Sequence, residues 1–317
     1  MKNKYDVQLL VNVAKMYYLY GMKQEEIAKE IKVSRSSISL ILTEAKERGV
    51  VEVNIRNPLA NNTKLAKEFL KRFNLESCII VPTSITNSEM LTQLVTQRAC
   101  KIFDDKLENG MTVGIAWGRT CYEFMSQYQK SIDFDNIKIV PLIGGTTRTF
   151  KVFHINEMVR KYAEKINAIP NFIHAPAFPF SQEDSRLYMS SSEMKNIRSL
   201  WKTIDIALVS VGAKPSFYEY TTSEIITDGS IEEWEKKYNI VGDICARYID
   251  INGNFIQDDI TKRIIGISVD ELRNISKVIC MVAGIEKKDP ILGALKTDLI
   301  DILITDEQTA SAVVQEF

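Results

Sequence analysis

Residues 24–39 read QEEIAKEIKVSRSSIS, and this stretch predicts two short helices joined by a tight turn. In the first helix, Ile27, Ala28 and Ile31 fall on one face, as the period of an α-helix requires. Ser34 then stands where a second helix begins, because a serine hydroxyl can accept a hydrogen bond from a backbone N–H of the first turn. Two helices and a turn with these internal positions are typical of a helix-turn-helix.

The residues on either side of this stretch complete a three-helix module. Upstream, apolar residues between Leu9 and Tyr18, with Tyr17 among them, recur every three or four positions, which predicts a helix that Gly21 ends. Downstream, the second helix of the pair continues towards Gly49. We expect Val33 to fill the angle between the paired helices.

Polar side chains at the start of the last helix point away from the predicted core. This end of a recognition helix enters the major groove of DNA, where arginine can bind guanine and serine hydroxyls can bind phosphates or bases. The residues predicted to contact double-stranded operator DNA are Gln24, Ser34, Arg35, Ser36, Ser37 and Ser39. The alternative is a three-helix bundle that contacts another protein or has no DNA role.

The charge distribution agrees with a nucleic-acid module, although the margin is small. Residues 1–57 carry a net charge of +3 and the remainder −4, within an overall charge of −1. Asn57 and Pro58 form a natural boundary, since the residue before a proline is restricted to extended conformations. We therefore expect a DNA-binding domain over residues 1–57 and a second domain over residues 58–317, which is large enough to hold its own core.

The second domain alternates apolar, strand-like runs with helical patterns, which favours an α/β fold with a doubly wound, mostly parallel sheet. The strand candidates are residues 78–81, 111–115, 137–143, 171–175, 204–211, 278–284 and 301–305, and the helix candidates include 89–104, 152–166 and 182–200. Residues 244–256, ICARYIDINGNFI, differ and indicate a hairpin with Asn252 and Gly253 in its turn.

Ligands of open α/β sheets bind beyond the carboxyl ends of the strands. Four of the turns that follow these strands carry both a glycine and a cation, which suits an anion such as a phosphate. The candidates are Gly118, Arg119 and Thr120; Gly144, Gly145, Thr146 and Thr147; residues 212–214; and residues 284–288. Asp205 lies in an apolar run and must be paired or functional, and Asp243 could accept hydrogen bonds from sugar hydroxyls. Alternatively, the glycines only make tight turns and the lysines are solvated.

Other classes of protein are disfavoured. The five cysteines are scattered with no CxxC spacing, and there are only two histidines, so we predict no disulfide framework, no metal and no other cofactor. No apolar run is long enough to cross a membrane, and we find no signal peptide. A cytoplasmic location is the simplest expectation.

Several motifs in one order resemble the SorC family of bacterial sugar-binding transcriptional regulators over nearly the whole chain. They are QEEIAKEIKVSRSSIS (24–39), VGIAWGRT (113–120), VPLIGG (140–145), VGDICARYID (241–250), VAGIEKK (282–288) and LITDEQTA (303–310). The resemblance implies a DNA-binding domain followed by an effector domain similar to phosphosugar isomerases and deaminases. It also implies a homo-oligomer, usually a tetramer, whose DNA binding responds to a phosphorylated sugar.

Carried over residue by residue, the resemblance places residues 118–120 and 144–147 around the effector, with Asp243 and Lys288 near it. Two positions of the second domain depart from the family pattern, as do Ser36 and Leu40 in the recognition helix, which stand where a proline and an arginine are frequent. Ile285 stands where a second glycine is usual, and Ile143 stands where the deoxyribonucleoside regulators carry a lysine that can form a Schiff base. Covalent capture of a sugar at that position is therefore impossible in this chain.

The sequence thus favours a repressor of a sugar catabolic operon that binds a sugar phosphate and is not an enzyme. The alternative is an isomerase-like or deaminase-like enzyme with an added helix-turn-helix. Residues 212–216, GAKPS, lack the catalytic histidine that follows this strand in the deaminases, and the acidic motif of the isomerases is absent. A protein-interaction scaffold is a third possibility.

Overall fold

The fold is that of a computed structural model, which describes residues 5–51, 63–130, 133–146, 154–217, 225 and 230–316. The chain divides into two compact units, Met1–Pro58 and Leu59–Phe317. The predicted boundary at Asn57 and Pro58 lies in a stretch outside the described residues. In the described part of the chain, the buried apolar side chains of the first unit form one cluster and those of the second unit form two.

The described residues of the first unit, 5–51, contain three α-helices. They are α1 (Val7–Ala14), α2 (Gln24–Glu30) and α3 (Arg35–Glu47). Leu10, Ile27 and Ile38, one from each helix, are fully buried in the shared core. Between α2 and α3, the Val33 N–H donates a hydrogen bond to the Ala28 carbonyl, which fixes the tight turn.

Two details of the first unit differ from the sequence prediction. Helix α1 passes directly into a π-helical turn, Lys15–Leu19, whose hydrogen bonds reach five residues back. This changes the angular spacing of the side chains, so Tyr17 and Tyr18 are exposed instead of buried. Val33 is also exposed, at 39%, and does not fill the angle between the helices.

The second unit is built on a seven-stranded sheet in which every described pairing is parallel. Its strands are β1 (Ser77–Val81), β2 (Thr112–Ile115), β3 (Lys138–Pro141), β4 (Ile169–Pro170), β5 (Ile206–Val209), β9 (Lys277–Met281) and β10 (Ile302–Asp306). The order across the sheet is β1-β10-β9-β5-β2-β3-β4. From β2 the chain adds strands in one direction, and from β5 it adds them in the other. The sheet therefore has a topological switch point between β2 and β5.

Helices connect these strands, as a parallel sheet requires. They are α4 (Thr63–Arg72), α5 (Ser88–Asp104), α6 (Arg119–Gln127), α7 (Ile155–Ile166), α8 (Gln182–Ser190), α9 (Ser192–Trp201), α10 (Ile231–Tyr238), α11 (Asp259–Lys262), α12 (Val269–Arg273), α13 (Lys288–Leu295) and α14 (Glu307–Val314). The single helix predicted over residues 182–200 is two helices. Ser191 is extended and caps the second helix by accepting a hydrogen bond from the Met194 N–H.

A smaller antiparallel sheet joins β6 (Val211–Gly212), β7 (Ile240–Ile244) and β8 (Arg247–Asp250) in that order. Cys245 and Ala246, both at positive φ, form the turn between β7 and β8. This hairpin was not predicted from the sequence, and it precedes the turn that was. Asn252 and Gly253 turn the chain again after β8, at a point from which Phe255 pairs with Ile249.

The predicted strand at residues 171–175 is absent. The edge strand is the two-residue β4, just before it. Asn171 to Ile173 instead continue alongside the sheet, where the Asn156 side chain bonds both the carbonyl and the N–H of Ile173. The Asn171 N–H also donates to the Ile139 carbonyl of β3 at 2.9 Å, so backbone and side-chain hydrogen bonds together hold this run although it forms no strand.

Candidate functional site

A pocket lies at the carboxyl edge of the large sheet, at its switch point. Residues 116–120 leave β2 and residues 210–213 leave β5, and both segments line the pocket. Further walls come from Asp243 on β7, from the start of α5 and from the turn after β9. The cavity has a volume of about 680 Å³, which is within the usual range for small-molecule sites.

The first turn of α6 provides one wall of this pocket. Gly118 precedes the helix with φ +106°, a conformation that side-chain-bearing residues rarely adopt, and as a glycine it offers no side chain to cap the helix; no other described side chain does so. Arg119 and Thr120 begin the helix and line the cavity. A helix start whose N–H groups lack a side-chain cap attracts anions, and the arginine adds a full positive charge.

Lys287 provides the second cation. It ends a short 3-10 turn, Ile285–Lys287, and its Nζ donates a hydrogen bond of 3.1 Å to the Val211 carbonyl. The pKa of this half-buried lysine is lowered to about 8, chiefly by burial; the nearby carboxylates of Asp243 and Glu286 oppose the shift and the positive charge of Arg119 adds to it. Because a bound anion would favour the charged form, Lys287 is suited to hold a phosphate.

Asp243 faces Lys287 from the small sheet. Burial raises the pKa of Asp243 to about 6, although the Ala246 N–H bonded to its Oδ2 at 2.8 Å and the charge of Lys287 both lower it. Gly212 pairs with Asp243 across β6 and β7. A Cβ at Gly212 would lie 1.8 Å from Asp243 Oδ1, so only glycine leaves room for this carboxylate.

A third wall is polar and acidic. Asn87, Ser88 and Glu89 at the start of α5 line the pocket together with Glu286. The Ser88 hydroxyl donates to Glu286 Oε1 at 3.4 Å. Carboxylates accept and serine hydroxyls both donate and accept hydrogen bonds, so this wall can bind the hydroxyl groups of a sugar.

Aromatic side chains complete the lining. Trp117 and Phe178 lie with ring centroids 6.0 Å apart, and Tyr122 and Tyr248 also contribute to the wall. Such rings give a small-molecule site its apolar surface, while a few polar groups set the orientation of the ligand.

The structure brings together only some of the residues that the sequence pointed to. Gly118, Arg119, Thr120 and Asp243 all line the pocket. Asp205 does not, and its assignment to the effector site is corrected. It precedes β5 at the amino edge of the sheet, where its Oδ2 accepts a hydrogen bond of 2.8 Å from the Thr112 N–H. The carboxylate ties two strands together, which explains its place in an apolar run.

The turn after β3 also lies outside the pocket lining. The N–H groups of Gly144 and Gly145 donate to the carbonyls of Ile265 and Ala175, so they are already used. A Cβ at Gly144 would lie 2.7 Å from the Ala175 carbonyl oxygen, which shows that this glycine allows two backbone segments to approach. Thr146 is buried. Thr147, which was also predicted to bind the effector, lies outside the described residues.

The assignment of Lys288 to the effector site is also corrected. Lys288 Nζ lies 2.7 Å from Glu316 and 3.7 Å from Asp289, and the residue is not part of the pocket lining. The adjacent Lys287 lines the pocket instead. The Gly284 N–H is held by Asp306 Oδ2 at 3.0 Å, which fixes the turn that aims Lys287 inward.

Sequence reasoning missed the start of α5. This helix follows β1, and the same rule that singled out the other strand ends applies to it. Residues 82–89 contain no glycine or cation, however, and so gave no anion signal. Trp117 and Tyr248 were also missed, because an aromatic residue in a sequence does not reveal whether it faces a core or a cavity.

The first unit presents the predicted DNA-contacting residues at the start of α3. Arg35, Ser36 and Ser39 are exposed, whereas Ser37 and Gln24 are half-buried. Ser34 caps α3 by accepting a hydrogen bond from the Ser37 N–H, and its hydroxyl also lies 2.8 Å from those of Ser36 and Ser37. Arg35 lies 3.7 Å from Glu25, with both side chains about two-thirds exposed.

Comparison with known proteins identifies the family to which this chain belongs. Residues 57–315 match the family described as "Putative sugar-binding domain". The sorbitol operon regulator of Klebsiella pneumoniae is 27% identical, with an alignment that covers 99% of this chain and 100% of that protein. The chain belongs to the SorC family of sugar-binding transcriptional regulators.

Two further similarities span almost the whole of this SorC-family chain. The deoxyribonucleoside regulator of Bacillus subtilis is 26% identical, and the alignment covers 98% of both chains. The crystal structure of the full-length sorbitol operon regulator matches with a TM-score of 0.78 over 98% of this chain and 100% of that one. The large parallel sheet is thus shared with a solved member of the family. Among the described residues, we find no helix with the length and apolar character that a membrane span needs.

Proposed function

We propose that this SorC-family regulator binds a phosphorylated sugar in the pocket at the switch point of its large sheet. The observation that carries this proposal is the convergence of Lys287 and Arg119 at the uncapped start of α6. Helix N–H groups and two cations form a site for a dianion. The polar wall at the start of α5 provides partners for sugar hydroxyls.

The first unit supplies the DNA-binding function in this proposal. Its three helices and the tight turn at Val33 form a helix-turn-helix, with α3 as the recognition helix. The predicted contacts remain those of Gln24, Ser34, Arg35, Ser36, Ser37 and Ser39. A recognition helix of this kind reads half-sites related by twofold symmetry, which supports a homo-oligomer, and the family resemblance favours a tetramer.

Regulation follows from linkage between the two ligands. A sugar phosphate can change operator affinity only if it binds the DNA-competent and DNA-incompetent conformations with different affinities. We propose repression as the default action, with release when the effector binds. The names of the relatives, which are regulators of sorbitol and deoxyribonucleoside utilisation, support an operon for sugar catabolism as the target.

We propose binding and not turnover for this pocket. His154 and His174 are the only histidines of the chain, and the described lining contains neither of them. Release of product from any sugar phosphate by the purified protein would contradict this.

A thermal-shift screen of the full chain against free sugars and sugar phosphates tests the effector class. A ligand at 100 times its Kd stabilises the folded state by about 2.7 kcal/mol, which moves the melting temperature visibly. We expect stabilisation by one or more sugar phosphates and none by the same sugars without phosphate. Equal responses to both would reject the phosphate site.

The DNA function is tested with operator fragments selected from genomic DNA by the purified protein. Arg35→Ala should weaken binding by about 1–3 kcal/mol if Arg35 reads a base, and should weaken all sequences equally if it contacts phosphate. Lys46→Ala, at the far end of α3, is the matched control and should change affinity little. Unchanged binding of Arg35→Ala in a fluorescence-anisotropy titration would remove Arg35 from the interface.

A further inference from the structure

The charges around the pocket are unevenly distributed. Among the described residues, the cations of the lining are Arg119 and Lys287. The carboxylates of the same lining are Glu89, Glu123, Asp243 and Glu286. The described lining therefore has more negative than positive groups, although the proposed ligand is an anion.

The two cations lie close enough together to bind a single phosphate group. Arg119 is close enough to Lys287 for its positive charge to act on the lysine's protonation, and Arg119 begins α6, whose uncapped N-terminus faces the same cavity. Lys287 is held towards β6 by its bond to the Val211 carbonyl. A phosphate bound here would use both cations together with the helix N-terminus.

Carboxylates lie both beside the cations and along the rest of the lining, since Asp243 and Glu286 act on the charge of Lys287 and Glu89 and Glu123 also line the pocket. Glu286 accepts a hydrogen bond from Ser88, and Glu123 accepts one of 2.6 Å from the Gln127 side chain. Glu89 is exposed near the pocket in the first turn of α5. A second phosphate, or the carboxylate of a sugar acid, would lie among these negative charges, where like charges repel. Neutral hydroxyls would instead donate hydrogen bonds to the same oxygens.

We propose that the effector is a sugar or sugar alcohol with one phosphate and an otherwise neutral, hydroxyl-rich body, and that bisphosphates and phosphorylated sugar acids are rejected. This inference rests on the proposed phosphosugar function of the pocket. Arg119 and Lys287 bind the phosphate. Glu89 and Glu286 discriminate against a second anionic group by repulsion, which is how a site gains specificity beyond its attractive contacts.

Isothermal titration of the full chain with matched ligands tests the proposal. The panel is fructose 6-phosphate, glucose 6-phosphate, sorbitol 6-phosphate and ribose 5-phosphate, together with fructose 1,6-bisphosphate, glucose 1,6-bisphosphate, ribose 1,5-bisphosphate and 6-phosphogluconate. We expect the tightest ligand to be a monophosphate, at least tenfold tighter than the bisphosphate or acid of the same carbon skeleton. A bisphosphate or 6-phosphogluconate that binds as tightly or more tightly would overturn the proposal.

Charge variants test whether the carboxylates cause the discrimination. Glu89→Lys and Glu286→Gln should each shift the ratio of the two affinities at least threefold towards the bisphosphate. Glu108→Lys places the same charge change as Glu89→Lys on an exposed residue outside the pocket lining and should leave the ratio unchanged. Equal ratios in all three variants and the parent protein would show that the carboxylates do not select the ligand.

The same titrations distinguish failure of the proposed phosphate site from failure of the charge argument. If no phosphorylated compound binds, or if fructose, glucose, sorbitol and ribose bind as tightly as their phosphates, the phosphate site itself is wrong. If several phosphates bind but bisphosphates are preferred, the site stands and only the charge argument fails.

Discussion

Lys287 and Lys288 show what a sequence can and cannot predict at the scale of a residue. The turn after β9 was expected to supply a cation, and Lys287 of this turn lines the pocket. Which of two adjacent lysines faces inward depends on the 3-10 turn that precedes them and on the Gly284–Asp306 hydrogen bond. That bond joins residues 22 positions apart, and no local pattern reveals it. Asp205 illustrates the converse, since its carboxylate was noticed but its partner, Thr112, could not be inferred.

The first prediction separates these two lysines. Lys287→Met removes the charge that faces the pocket and keeps most of the apolar stem, so affinity for a sugar monophosphate should fall at least tenfold, or about 1.4 kcal/mol. Lys288→Met removes the same charge from a residue that pairs with Glu316. Its affinity should stay within twofold of the parent in a calorimetric titration. Equal losses in the two variants would place the phosphate elsewhere.

The second prediction concerns pH. The pKa of Lys287 is lowered to about 8 in the free protein, so the lysine loses its charge as pH rises through 8, and a dianion then binds less well. Asp243 and Glu286 oppose this loss of charge and Arg119 promotes it. Affinity should fall about tenfold between pH 7 and pH 9, and binding near pH 8 should take up a proton.

Titrations in two buffers with different ionisation enthalpies measure this proton uptake directly. In Lys287→Met, the alkaline decrease should disappear, because the titrating group is absent. A parent protein whose affinity is constant from pH 7 to pH 9 would contradict the assignment of Lys287 to the phosphate.

At the scale of elements, periodicity located most helices and strands but not their irregularities. Ser34 was recognised as the cap of α3 because capping depends on a few adjacent residues. The π-helical turn at Lys15–Leu19 has no comparable signature, and it moved Tyr17 and Tyr18 out of the core. The turn at Asn252 and Gly253 was predicted from its residue types, and Phe255 pairs with Ile249 across it. The β7–β8 turn was not predicted, because Cys245 and Ala246 are poor turn residues by composition.

The third prediction belongs to the pairing of β6 with β7. Gly212→Ala would place a Cβ 1.8 Å from Asp243 Oδ1, so the carboxylate or the strand must shift. We expect a loss of stability of about 1–3 kcal/mol, typical of overpacking, together with weaker sugar-phosphate binding. Denaturant unfolding and calorimetry measure the two effects.

A double variant distinguishes this clash from a general effect of the alanine. Asp243→Ala removes the obstructing carboxylate, so adding Gly212→Ala to it should cost much less stability than Gly212→Ala alone. If the stability losses of the two single variants add up to that of the double variant, the new Cβ does not clash with the Asp243 carboxylate. Gly266→Ala serves as the comparison, since neither Gly212 nor Gly266 has a positive φ, and the nearest atom that a Cβ at Gly266 would meet is the Leu142 carbonyl oxygen at 3.2 Å.

At the scale of the whole molecule, the alternation of strands and helices was sufficient to predict a parallel sheet, but not its strand order. Strand order depends on pairings such as β5 with β9, which join residues about 70 positions apart. The position of the switch point, and hence of the pocket, therefore came only from the structure. The rule that ligands bind at strand carboxyl ends still selected Gly118, Arg119 and Thr120, which line the pocket, without knowledge of the strand order.

The last prediction follows from the separation of the cores. The buried cluster of the first unit uses residues between Leu10 and Ala45, and those of the second unit use residues between Ala66 and Val313. Residues 59–317 alone should therefore fold, because the fragment keeps every buried side chain of the second unit's two clusters. Its affinity for the sugar phosphate should lie within about twofold of that of the full chain. Operator binding should be lost.

The same fragment tests the linkage between effector and DNA. In the full chain, the effector should change operator affinity by a factor within about 5–150, the usual range of coupling between sites, and operator DNA should change effector affinity by the same factor. In the fragment, the effector affinity should not respond to operator DNA at all. A fragment that unfolds, or that binds the effector more than tenfold more weakly, would show that the two units depend on each other for folding. In that case the two units would not fold independently. A shift between two conformations of independently folded units could then not explain how the sugar changes operator binding.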